Sequence, residues 1–471
     1  MERPRPQAND KTLKVRAGQE ERAIMNLEAL KTKLGAKLST STADLETHSK
    51  DESYPVQHPP LAVVYAEEPA DIEITLTWAR EYQIAVIPFG AGTSLEGQVV
   101  PVGEAISLDV SRMNKILEVR PEDFIAVVEP GVTRKSLNEA LKGTGLFFPV
   151  DPGADATIGG MTATNASGTT TVRYGGMHQN VLAMQVILAN GELLELGRGV
   201  RKTSAGYDLK DLFIGSEGTL GIFIRLTLKL HPIPEYIHAL RVFFPSLEQA
   251  AEAAYSILGS GLPVARLELV DALGIKAINK YLSRDYLEQP ALFIEFHSSS
   301  KPALEAESTL AIELMQDAGA SSIDLAHTQE ERTAQWEARH QAYWALVNLH
   351  PNKEYLSTDT AVPVSKMPEL VRFSSDLLAE MNLTGCILGH VGDGNFHTLL
   401  VCNHGDPRAE IFSQRLVEHA LRLGGTCTGE HGIGLRKKKY LQAEHGAALA
   451  WMRQIKQLFD PQNLLNPNKV V

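Results

Sequence analysis

Cysteine is scarce, with only Cys386, Cys402 and Cys427 in 471 residues. No pair has C-x-x-C spacing, which argues against a zinc knuckle or a redox dithiol, and so few thiols suit a reducing compartment. Positive charge is also in deficit: 45 Lys and Arg face 57 Asp and Glu, for a formal net charge of −12. A nucleic-acid surface needs the opposite balance, so no nucleic-acid partner is expected. The one basic run, Arg436-Lys437-Lys438-Lys439, reads as the solvated face of a helix. No stretch approaches the ~20 apolar residues of a bilayer span. The opening MERPRPQANDKTLKVRAG has no apolar core of a secretory signal, and its Glu2 and Asp10 do not suit a mitochondrial presequence. The expectation is a cytoplasmic protein with at most peripheral contact at an inner membrane. Gly-Lys never occurs, which excludes a Walker A loop.

A chain of 471 residues is too long for one core. Residues 1–55 read as a polar tail with a helix near Ile24 to Leu34. A strand (Ala62–Tyr65), a helix (Pro69–Tyr82) and a strand (Ile84–Pro88) then make a β-α-β start. Up to Pro234, glycine is dense and short β-rich segments recur, with Asn190-Gly191 as a hairpin turn. His231-Pro232-Ile233-Pro234-Glu235 is a linker, because two prolines break regular structure. Strands and helices alternate beyond it, among them Cys386–Val391 and Asn395–Val401, and a helix near Ala447–Leu458 closes the chain. The resulting division is 1–55, 56–235, 236–445 and 446–471.

The best dinucleotide candidate is Gly90-Ala91-Gly92-Thr93-Ser94-Leu95-Glu96-Gly97. Its third glycine comes two positions too late for G-x-G-x-x-G, and no apolar-periodic helix follows, so a Rossmann site is not indicated. The glycines do let backbone approach a ligand, and successive N–H groups with the Thr93 and Ser94 hydroxyls can cradle a pyrophosphate. Two more blocks have the same texture. One runs from Asp151-Pro152-Gly153 through Gly159-Gly160 to Asn165-Ala166-Ser167-Gly168, and the other is Gly215-Ser216-Glu217-Gly218-Thr219-Leu220-Gly221-Ile222. Small and hydroxyl side chains at this density make poor core. They suit a groove around an extended polar cofactor.

The C-terminal half carries Gly389-His390-Val391-Gly392-Asp393-Gly394-Asn395-Phe396-His397, and later Thr428-Gly429-Glu430-His431-Gly432. On one unbroken strand His390 and His397 would face opposite ways. A reversal at Gly392-Asp393-Gly394 brings both imidazoles to one point, and Glu430 adds a carboxylate. Two His and a carboxylate suit a divalent metal (Zn, Mn or Fe) with open positions for substrate. A cation at such a site lowers the pKa of a hydroxyl bound to it, and His431, beside Glu430, is the candidate base.

These motifs resemble the FAD-binding (PCMH-type) domain of the vanillyl-alcohol oxidase family and, over nearly the whole chain, the cytochrome-linked D-lactate dehydrogenase group. The resemblance implies an α+β fold, with a two-subdomain FAD-binding domain, an α/β substrate or cap domain and a C-terminal helical tail. It implies FAD contacts from Pro88, Gly90, Gly92, Thr93, Ser94 and Gly97 in the first loop. Pro152, Gly160, Ser167 and Gly168 belong to the flavin-lining block, and Glu217, Gly221 and Ile222 to the third. Some relatives tether FAD through a first-loop His. None is present here, so the FAD is expected to be non-covalent. Metal ligands match His390, His397 and Glu430, the base matches His431, and a substrate-carboxylate arginine matches Arg339. Tyr343, Ser357 and Leu399 stand where a hydroxyglutarate-oxidising branch has polar groups. Leu399 cannot pair with a second carboxylate, which favours a monocarboxylate such as D-lactate. The implied partners are a small 2-hydroxy acid and a quinone or cytochrome acceptor, with a homodimer as the assembly to test. The alternatives are a glycolate oxidase catalytic subunit, a D-2-hydroxyglutarate dehydrogenase or, from another class, a metal-dependent hydrolase or binding protein. The ending Asn466-Pro467-Asn468-Lys469 departs from the family's Asn-Pro-Gly-Lys.

Overall fold

A computed structural model describes residues 27–471. The tail before residue 27, and the start of the helix expected near Ile24, lie outside the described residues. Helix is present over 27–34, with Leu30 and Leu34 buried one turn apart.

The β-α-β start forms as its sequence dictates. Ala62–Tyr65 and Ala85–Phe89 both pair in parallel with Ala105–Asp109, which lies between them. Both faces of these strands are covered, so they are nearly continuous apolar runs. The connecting helix Pro69–Tyr82 opens on a capping box between Glu68 and Asp71 with Pro69 in its first turn, and ends at Gln83 in the left-handed region. Its buried stripe is Ile72, Leu76 and Ala79, at i, i+4 and i+7.

A second, antiparallel sheet follows, in the order Ile116–Arg120, Ile125–Val128, Ile222–Lys229, Val181–Ile187, Leu193–Gly197. Along Ile222–Lys229 the later residues alternate between buried (Leu226, Leu228) and half-exposed (Arg225, Thr227, Lys229), as one-sided packing requires. The linker begins later than its prolines suggest. His231–Pro232 still pairs with Leu146–Phe147, and the chain leaves this unit only afterwards.

The C-terminal half is one antiparallel sheet backed by helices. Its order is Ser322–Ala326, Tyr236–Phe243, Ala291–Ser298, Val264–Val270, Thr384–Gly389, Asn395–Cys402, Glu354–Ser357. Among the elements that escape the sequence reading are the strands Val264–Val270, Ser322–Ala326 and Glu354–Ser357 and the helices Ala272–Leu282, Gln329–His340 and Ala342–Leu349. The final helix, Ala448–Phe459, returns to the first half, where Ile455 and Phe459 pack against its core. The tail then adds to the parallel sheet: Val86 N–H donates to Leu464 O at 2.8 Å, and Asn466 N–H to Val86 O at 2.9 Å.

Candidate active site

One cavity of about 920 Å³ runs between the two sheets of the first half and ends under the C-terminal sheet. All three glycine-rich blocks line it. A Cβ on Gly90 would lie 2.5 Å from Thr157 Oγ1, so the first loop approaches the second block as only glycine allows. The N–H groups of Ala91, Gly92, Thr93 and Ser94 meet no acceptor among the described residues. Four adjacent donors left open on a cavity wall fit an anionic ligand such as a pyrophosphate. Of the expected cofactor residues, Pro88, Gly90, Gly92, Thr93, Ser94, Pro152, Gly160, Ser167, Glu217, Gly221 and Ile222 line this cavity. Gly97 and Gly168 do not. Gly97 lies behind the loop and donates its N–H to Asp51 Oδ2 at 2.6 Å, while Gly168 packs against the Asp151 backbone.

The far end holds the histidines. Thr384–Gly389 and Asn395–Cys402 pair antiparallel, joined by one 3-10 turn over Val391–Asp393 with Gly394 at φ 77°. That reversal sets the His390 and His397 ring centroids 5.7 Å apart. Glu430 Oε1 lies 3.2 Å from His390 Nε2 and 3.0 Å from His397 Nε2, and Glu430 Oε2 accepts from Ser167 Oγ at 2.8 Å. The other ring nitrogens are anchored too: His390 Nδ1 is 2.7 Å from Glu268 Oε1, and His397 Nδ1 is 3.0 Å from Thr358 O. Ligand atoms of His390, His397 and Glu430 all lie within 4.8 Å of one another. Two oriented imidazoles and a carboxylate fit a divalent ion. Burial opposes charge on His390, yet the Glu268 and Glu430 carboxylates hold its pKa well above its usual value. Burial likewise opposes the Glu430 carboxylate, and His390 and His397 hold it well below the usual range.

His431 stacks on His397, with centroids 5.0 Å apart and planes 7° from parallel. Its Nδ1 lies 3.3 Å from Glu96 Oε1, which leaves Nε2 free to accept a proton. Burial lowers its pKa, but Asp359 and Glu96 outweigh burial and raise it. Asp359 also fixes the loop, because its Oδ2 accepts from the N–H groups of Gly429, Glu430 and His431 at 3.0, 3.2 and 3.0 Å. One member of the basic run departs from the expected solvated face. Lys437 is not solvated; it is 5% exposed and bridges Asp359 at 3.0 Å and Glu96 at 3.3 Å.

Arg339 lines the cavity from the end of the Gln329–His340 helix and donates from Nη2 to Glu268 Oε2 at 2.6 Å. Glu268 therefore holds the arginine with one oxygen and His390 with the other. Tyr343, Ser357 and Leu399 line the same end. Sequence reasoning missed Glu268, Asp359 and Lys437 as site residues. A signal existed for Glu268: a carboxylate between leucines in Arg266-Leu267-Glu268-Leu269-Val270 costs free energy unless a buried cation meets it.

No helix among the described residues is long and apolar enough to cross a membrane. Residues 60–197 match a family model described as an FAD binding domain, and residues 233–470 match the C-terminal domain of FAD linked oxidases. A probable mitochondrial D-lactate dehydrogenase of Danio rerio is 43% identical over 442 residues, covering 92% of this chain and 89% of that protein. The mitochondrial D-lactate dehydrogenase [cytochrome] of Arabidopsis thaliana is 36% identical, covering 94% and 80%. Among solved structures, an alkyldihydroxyacetonephosphate synthase superposes with a TM-score of 0.75 at 19% identity, covering 94% of this chain and 84% of that one, a likeness of fold. A cofactor-binding half and a C-terminal half that each match, with full-length relatives at this identity, lead to one conclusion: the chain belongs to the FAD-linked oxidases.

Proposed function

We propose that this protein oxidises D-lactate, or a similarly small D-2-hydroxy acid, to the 2-oxo acid. FAD would be held non-covalently in the glycine-lined groove and a divalent metal by His390, His397 and Glu430. The observation that carries this reading is that His390, His397, Glu430, His431 and the glycine-rich loops all line one cavity. When bound, the flavin supplies the hydride sink and the metal polarises the substrate oxygens. The protein's own groups do the rest. Arg339 receives the carboxylate as a charge-assisted partner. His431 Nε2 takes the hydroxyl proton, and the imidazolium it becomes is stabilised by Asp359 and Glu96. Leu388 and Leu399 line the substrate end and offer no partner to a second carboxylate, which supports a short apolar side chain. The D configuration is supported by the names of the relatives, and a cytochrome-like electron acceptor by that of the Arabidopsis protein.

The test is anaerobic flavin bleaching by D-lactate, L-lactate and D-2-hydroxyglutarate, each with and without prior chelation. D-lactate should bleach the flavin rapidly, the other two slowly, and chelation should slow D-lactate. Preference for L-lactate, or full activity after complete metal removal, contradicts the proposal.

A further inference from the structure

Arg266 has no role in the chemistry above, yet it is built into the same wall. It lies two residues before Glu268 on the Val264–Val270 strand, so strand alternation puts both side chains on one face. The side chain lines the cavity and is 16% exposed. Its guanidinium sits over the Trp336 ring, 4.6 Å from the centroid, which fixes the plane.

Its donors are poorly used. Nη2 lies 3.4 Å from Asp151 Oδ2, and Nε lies 3.9 Å from Glu295 Oε1, beyond hydrogen-bond range. Nε is buried with no partner, and so is Nε of Arg339. Both acids have shorter contacts with other groups. Glu295 receives Arg332 Nε at 2.8 Å and Nη2 at 3.0 Å, with His297 Nε2 at 2.6 Å; Asp151 Oδ2 accepts from Thr169 Oγ1 at 2.7 Å. A guanidinium has five N–H donors, and leaving buried ones unmet is costly. Arg339, in contrast, is already tied to Glu268, whose other oxygen holds His390. A carboxylate entering here therefore meets one arginine held at 2.6 Å by Glu268 and a second whose two acidic neighbours, Asp151 and Glu295, lie at 3.4 and 3.9 Å. His340 does not compete for it. Burial lowers its pKa and the charges of Arg266 and Arg339 lower it further, so its imidazole stays neutral.

We propose that Arg266 is a second anion-binding side chain of the substrate compartment, closing with Arg339 on the carboxylate of the 2-hydroxy acid. This rests on the reading of the cavity as a hydroxy-acid site. Arg266 holds the carboxylate equally in ground and transition state, and the proton goes to His431, so its loss falls on KM and not on the chemical step.

The experiment uses the FAD-loaded protein with Arg266→Gln and Arg266→Lys. Oxalate binding is read from the flavin spectrum, D-lactate KM from steady state and the limiting rate of flavin reduction from stopped flow. Loss of one charge-assisted contact should raise the oxalate Kd and D-lactate KM about 10- to 100-fold in Arg266→Gln. The limiting rate and the flavin spectrum should stay close to wild type, and Arg266→Lys should recover part of the affinity. An unchanged oxalate Kd in Arg266→Gln overturns the proposal. So does a KM that worsens for D-2-hydroxyglutarate alone, which would place Arg266 at a distal carboxylate. Should Arg266→Gln fail to fold, Arg266→Lys decides: a raised oxalate Kd supports the proposal and an unchanged one overturns it. Wild-type flavin that answers neither oxalate nor D-lactate would instead refute the hydroxy-acid reading.

Discussion

A histidine works as a base only if the imidazolium it becomes is tolerated where it sits. Buried beside one more cation, His431 would resist protonation. Here Asp359 and Glu96 face it and favour the imidazolium, while the charge of Lys437, which ties the two acids together, offsets part of their pull. His431→Ala is expected to keep FAD, because its side chain meets a glycine-rich loop at Glu96, which Lys437 also holds, and to slow flavin reduction by about 10²- to 10⁴-fold. Single-turnover reduction by D-lactate measures this, and near-normal reduction would remove His431 from the role. At this scale, the residues with distinctive chemistry on glycine-rich loops were legible in the sequence: His390, His397, Glu430, His431. Their supports were not. Glu268 meets Arg339 at a separation of 71 residues and His390 at 122, and Lys437 meets Asp359 at 78. No local pattern encodes such pairs.

Elements were legible where local rules and tertiary packing agree. The helix Pro69–Tyr82 announces itself by proline, a cap and an apolar stripe, and the histidine hairpin by its Gly-Asp-Gly reversal. The strand Val264–Val270 was hidden because Arg266 and Glu268 serve the cavity and interrupt its apolar pattern. The helix Gln329–His340 was hidden by polarity, since among its buried residues are Gln335 and Arg339. The loop after His431 is held through its backbone N–H groups by the Glu217 carboxylate. Gly434 has φ +52°, and its N–H donates to Glu217 Oε2 at 2.8 Å. A Cβ there would lie 2.2 Å from Glu96 O. Gly434→Ala is therefore expected to cost about 1–3 kcal/mol, the usual range for overpacking. It should also weaken flavin retention, because Glu217 lines the cavity. Denaturant unfolding and the flavin-to-protein absorbance ratio after gel filtration test this; wild-type values in both would mean the loop is more pliable than its packing indicates.

On the scale of the whole molecule, the two halves are joined by a polar chain that starts just before the linker. His231 Nε2 lies 2.9 Å from Asn180 Oδ1, and its ring meets the edge of Tyr174 at 5.0 Å. The Tyr174 hydroxyl lies 2.7 Å from His297 Nδ1 on the C-terminal sheet, and His297 Nε2 lies 2.6 Å from Glu295. Burial brings the His231 pKa down to about 4 from 6.5, with Lys229 and Arg201 adding to the effect. Burial lowers His297 too, against the pull of Glu295. The folded protein thus keeps His231 neutral where the unfolded chain would take up a proton. Its contribution to stability is complete above pH 6.5 and is lost progressively as pH falls through about 4. Acid should therefore act on the packing around Tyr174, whose hydroxyl makes the contact with the C-terminal sheet. Wild type is expected to lose more stability between pH 7 and pH 5 than His231→Gln, which has no proton to gain. Urea midpoints at the two pH values, followed by tryptophan fluorescence, make the comparison. Parallel losses in the two proteins would mean that the acid sensitivity of this interface lies elsewhere.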